Sequence, residues 1–171
     1  MKKVLTQLTI LPAVCLTLLL GTGCGGSSAQ DESVDAESAF SLSQDEGLAL
    51  TNNVWKRQAA ERYSTFLEIN KGRTGGFLCN NDGKSASGEF SFLKVDGQNV
   101  MTSPAGHDGS VMVVESLRFK GDNLVISGSE KGVSYTSTYA PISGLPEICK
   151  RLKAGEEPTF EEYLASWDPE E

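Results

Sequence analysis

Residues 111–140, VMVVESLRFKGDNLVISGSEKGVSYTSTYA, decide the reading of the fold. Val133, Tyr135, Ser137 and Tyr139 alternate with Ser134, Thr136 and Thr138, the period of a strand with two unlike faces. Across Val111–Phe119, the residues Val111, Val113, Leu117 and Phe119 share one strand face, which Glu115 interrupts. The interruption predicts a β-bulge or a partly exposed strand. Gly121-Asp122-Asn123 is turn chemistry, and a short apolar run, Leu124–Gly128, comes after it.

The pattern continues upstream. Asp82-Gly83, Asp96-Gly97 and Asp108-Gly109 are hairpin-type turns. Between them lie the candidate strands Gly76–Cys79, Glu89–Val95 and Asn99–Thr102. Hairpin spacing throughout predicts an antiparallel meander or a partly open small β-barrel of five or six strands. On the N-terminal side, Ser43 with Glu46 has the form of a capping box. Trp55, Ala59, Tyr63 and Phe66 then recur at helical spacing, with Leu67 and Ile69 beside them, predicting a helix over Asn53–Lys71 that stops at Gly72. On the C-terminal side, Leu145–Lys153 reads as a short helix with Pro146 in its first turn. Thr159 and Glu162 form a second capping box. Phe160, Tyr163, Leu164 and Trp167 share a face of the helix it opens. The expected class is α+β: an N-terminal helix, the sheet or barrel, and two short C-terminal helices.

The first 45 residues are of another kind. Lys2 and Lys3 precede an uncharged apolar run from Val4 to Leu20, then Gly21, Thr22, Gly23 and Cys24. Basic start, apolar core and small residues are the layout of a secretory signal. With a cysteine after the small residues, this stretch resembles the lipobox of bacterial lipoproteins. The resemblance implies cleavage before Cys24, acylation of Cys24 and anchoring in a cell-envelope membrane, where two acyl chains suffice for stable attachment. Gly25 stands where the family places an aspartate for inner-membrane retention, so the outer membrane is expected rather than the inner. Gly25–Asp45 is rich in Gly, Ser, Ala and acidic residues and reads as a flexible tether. The expected organisation is a signal peptide over 1–23, a lipidated tether over 24–45 and one domain over 46–171.

The precursor carries a net charge of −8, and removal of Lys2 and Lys3 leaves 13 basic against 23 acidic residues. Such a surface repels nucleic acid and anionic headgroups; it reads first as a device for solubility, with a cationic ligand or a basic protein patch as the alternative. Four cysteines sort by position. Cys15 leaves with the signal and Cys24 takes the acyl chains. Cys79 and Cys149 remain, in a compartment where disulfides persist. A disulfide between them is expected; two buried thiols or a redox pair are the alternatives, and no Cys-x-x-Cys motif favours the redox pair.

Catalytic signals are thin. No nucleophile elbow, phosphate loop, dinucleotide fingerprint or zinc-protease motif occurs. The single histidine, His107, sits in the Pro/Gly segment 103–110 and reads as an exposed loop residue. Asn80-Asn81-Asp82-Gly83 fails the calcium-loop template and reads as a turn. No catalytic residue, metal site or cofactor is expected. A second resemblance lies near the C-terminus. Leu145-Pro146-Glu147-Ile148-Cys149 and Pro158-Thr159-Phe160-Glu161-Glu162-Tyr163 are similar to the tail of the accessory domain that precedes the catalytic core in lipoprotein members of the C-terminal-processing serine peptidases. It implies an accessory domain without peptidase activity.

Two functions are expected as alternatives. The first is a tethered, non-enzymatic domain that binds a protein or envelope component through Trp55, Tyr63 or Trp167. The second is a small-molecule binder whose half-open barrel is lined by Phe90, Phe92, Tyr135 and Tyr139; it requires a pocket in the sheet.

Overall fold

The computed structural model describes residues 32–58, 64–102 and 111–166. Cys24 and the signal, Tyr63, His107 and Trp167 lie outside the described residues. Ser43 opens helix α2 (Gln44–Asn52) with the capping box its spacing predicts: its side chain accepts from the Glu46 N–H, and the Glu46 carboxylate accepts from the Ser43 N–H. A shorter helix, α1 (Ala36–Ala39), capped by Asp35, precedes it. Two strand residues, β1 (Glu32–Ser33), come before that. Val34, Ala36, Phe40 and Leu42 of this stretch pack into the core, so Glu32–Asp45 is built into the domain.

The predicted long helix is replaced by sheet. α2 ends at Asn52, and Asn53–Lys71 holds strands β2 (Val54–Arg57) and β3 (Thr65–Ile69) instead. Both strands are buried on two sides. Trp55 and Leu67 face one core, while Val54 and Phe66 face a second one beneath the C-terminal helix. Two-sided burial replaces strand alternation with a continuous apolar run, which periodicity cannot tell from a helix.

All six strands expected downstream are present: β4 (Gly75–Asn80), β5 (Gly88–Val95), β6 (Gln98–Thr102), β7 (Val111–Lys120), β8 (Asn123–Glu130) and β9 (Val133–Ile142). With β1, β2 and β3 they make one nine-strand antiparallel sheet. Strand accounts for 48% and helix for 21% of the described residues, which makes the protein mostly β and corrects the α+β, five- or six-strand expectation. Each strand from β2 to β9 pairs with the next, and β9 returns to pair with β2 through Val54↔Ile142 and Arg57↔Tyr139. Eight strands therefore close into an up-and-down barrel, and β1 adds to the outer half of β5 through Glu32↔Lys94. Closure removes the exposed edges that an open meander would carry.

The bulge signalled by Glu115 is real: the β7–β8 register shifts between Val114 and Ser116. It also changes the phase of the strand. Met112 and Val114 face the barrel core before it, Leu117 and Phe119 after it, and Val111 is exposed. The chain comes closest opposite the bulge. A Cβ built on Gly128 would lie 1.8 Å from the Val113 carbonyl oxygen. Only glycine fits there. We expect Gly128→Ala to cost about 3 kcal/mol, the upper end for overpacking. Gly144→Ala, where a Cβ meets nothing within 4 Å, should stay within about 0.5 kcal/mol. Urea midpoints of the two variants check the contrast.

Two short helices finish the domain as expected. α3 (Glu147–Lys153) begins after Pro146, and α4 (Phe160–Ala165) carries the Thr159/Glu162 capping box. α3 lies on the outer face of β2, β3 and β4, over Val54, Phe66 and Phe77. Cys149 of α3 and Cys79 of β4, both fully buried, form a disulfide there with Cα atoms 5.8 Å apart. Arg151 of α3 reaches Glu156 in the connecting loop at 2.8 Å and Glu162 of α4 at 2.5 Å, which joins the two helices.

Candidate functional site: the barrel lumen

The two ends of the barrel differ. At one end α1 and α2 close it: Ala36, Phe40, Leu42 and Leu50 pack onto Trp55, Phe92 and Phe119. Trp55 is 1% exposed, its indole N–H donates to the Leu50 carbonyl at 3.0 Å, and its ring meets Phe119 edge-on. Phe40, Phe90 and Phe92 interlock edge-to-face beside it. This aromatic plug fills the lower half of the lumen. Phe90 and Phe92, expected to line a pocket, are part of the plug. Trp55, expected as a partner contact if exposed, is core.

The described residues leave the other half unfilled. A cavity of about 510 Å³ reaches in from the end where β4, β6 and β8 finish and β5, β7 and β9 begin. Its deeper walls are apolar: Leu78, Met101, Met112, Ile126 and the rings of Tyr135 and Tyr139. Tyr135 and Tyr139 stand on the predicted face of β9, with Ser137 between them. Ser134 and Thr136 point outward and are exposed. The polar lining comes from Arg57, Thr65, Asn80, Ser137, Glu130 and Lys131. Thr65 and Asn80 satisfy each other at 2.8 Å, and Asn80 also donates to the Ala86 carbonyl.

The two phenols stay neutral. Burial pushes Tyr135 up to about 12, with Tyr139, Glu130 and Glu115 adding to the effect. Burial also raises Tyr139, against the positive charge of Arg57 and a hydrogen bond with Ser137, both of which act to lower it. Both groups are therefore O–H donors at neutral pH.

Sequence reasoning found Tyr135 and Tyr139 and missed Arg57, Met101, Met112 and Ile126. Arg57 lies within Asn53–Lys71, the segment predicted as a helix, and ends β2 instead. Asp82, in the Asn-Asn-Asp-Gly stretch, forms the expected turn: it accepts from the Lys84 and Ser85 N–H groups and from the Ser85 hydroxyl. Among the described residues no cluster of three His, Cys, Asp or Glu side chains could hold a metal ion. No described helix is long and apolar enough to cross a membrane.

Comparison of the chain with protein-family models, with curated proteins and with solved structures gives no match.

Proposed function

We propose that this chain is a cell-envelope lipoprotein that takes one small amphipathic molecule into its barrel. The observation that carries the reading is the half-filled lumen: a closed eight-strand wall, an aromatic plug at one end, and at the other an apolar cavity that the described residues leave unfilled. Eight strands leave an interior just wide enough to fill or to hold one small ligand. A cavity of about 510 Å³ falls within the range of small-molecule sites, which are mostly apolar with a few placed polar groups. Binding through exposed aromatics has less support, because Trp55 is buried.

Anchoring rests on the resemblance around Cys24. It fits the geometry in one respect. β1 pairs with the end of β5 that lies at the plugged end, so Glu32, the first described residue, stands away from the mouth. An acylated Cys24 would then hold the plugged end towards the membrane and turn the mouth to the surrounding compartment.

Titration with N-phenyl-1-naphthylamine, a neutral amphipathic fluorophore, tests the lumen. Saturable one-to-one binding is expected. Ile126→Trp fills the cavity and should weaken it at least about tenfold, as should Met112→Trp nearer the mouth. Leu48→Trp, on the exposed side of α2, should bind as the unmodified protein does. Melting curves confirm that each variant is folded. Equal binding by all three variants would place the probe elsewhere and end the reading.

A further inference from the structure

We propose that the molecule taken up is anionic, a carboxylate on an apolar tail, and that Arg57 and Tyr139 receive its headgroup. The inference rests on the lumen reading and names the ligand class of that site.

Arg57 and Tyr139 are register partners on β2 and β9, and both line the cavity. Among the described residues Arg57 forms no ion pair with a carboxylate. A half-buried guanidinium presents up to five donors in a planar fork that fits a carboxylate side-on. The Tyr139 phenol, held neutral, adds an O–H donor beside it, and Ser137, hydrogen-bonded to that phenol, braces it on the same face of β9. Arg57 supplies the fixed charge of this cluster.

The cavity also holds a carboxylate, Glu130, which would suit a cation. The register separates the two. Glu130 is paired with Val133 at the β8–β9 turn, six residues along β9 from Tyr139. Glu130 and the neighbouring Lys131 thus occupy the rim. Arg57 stands further in, beside the apolar walls, where charge interactions are stronger than in water. A headgroup at Arg57 leaves the tail against Met101, Met112, Ile126 and Leu78.

Calorimetric titration of the folded protein with dodecanoate, dodecanol and dodecyltrimethylammonium separates the claims. Dodecanoate is expected to bind roughly 10- to 100-fold tighter than dodecanol, the scale of a charge-assisted hydrogen bond. Arg57→Gln should remove that preference and Arg57→Lys should restore part of it, while Leu48→Trp, outside the lumen, should keep it. If dodecanol binds as tightly as dodecanoate, or Arg57→Gln keeps the preference, the headgroup assignment fails while the lumen reading survives. Tighter binding of the ammonium probe overturns it in favour of Glu130. Absence of binding by all three probes overturns both readings.

Discussion

Trp55→Ala should lower the stability of the domain by about 3–5 kcal/mol, the range for deleting a large buried ring. Among the described residues Trp55 is the largest fully buried side chain, and it sits where helix α2 meets the barrel. Truncation removes its edge contact with Phe119 and strips the Leu50 carbonyl of its donor, and an unsatisfied buried acceptor adds to the cavity cost. Small domains hold only about 5–15 kcal/mol in total, so the loss is a large share. For a domain of this size it corresponds to a fall in Tm of roughly 15 °C. Trp55→Phe keeps one aromatic ring but loses the N–H donor and part of the indole's buried volume, and should fall between the two. A Trp55→Ala protein within about 1 kcal/mol of the original would return Trp55 to the surface and revive its reading as a partner contact.

Reduction of the Cys79–Cys149 bond is the second large effect. The bond closes a loop of 70 residues. The chain-entropy model gives such a closure about 4 kcal/mol through the unfolded state. The bond also fastens a helix of seven residues, too short to be stable alone, over Val54, Phe66 and Phe77. Melts with and without reductant should differ by that amount. The double replacement Cys79→Ala, Cys149→Ala should reproduce the reduced protein. Because the bond lies on the outer wall, away from the cavity, the folded fraction of either should still bind in the lumen. Identical midpoints with and without reductant would contradict the assignment.

Much of the sheet was legible in the sequence, for reasons visible at particular residues. β9 faces core on one side and solvent on the other, so Tyr135, Ser137 and Tyr139 alternate with Ser134 and Thr136 as strands with one wet face do. Asp96-Gly97 marks a two-residue hairpin, and both residues adopt the positive φ that such a turn needs. Both capping boxes form as spaced. Legibility stopped where burial became two-sided. β2 and β3 are pressed between the lumen and α3, and their apolar runs imitate a helix. Closure of the barrel depended on those two strands, because β9 needs β2 as its last partner. The bulge is readable at Glu115, but its change of phase is not: the sequence groups Val111 and Val113 with Leu117 and Phe119 on one face, whereas Met112 and Val114 share the core side with them. The cavity was only partly legible: Tyr135 and Tyr139 carried a signal, whereas the methionines and Arg57 become a site only when separate strands bring them together.

The central claim is that the lumen, and not the outer surface, holds the ligand. Methyl-resolved NMR during a dodecanoate titration tests it most directly. The Met101, Met112, Ile126 and Leu78 methyl resonances should shift in a saturable, one-to-one manner. Those of Val54, Ile148 and Leu152, in the core outside the barrel, should stay in place. Shifts confined to the outer set, or no shifts at saturating dodecanoate, would contradict the account.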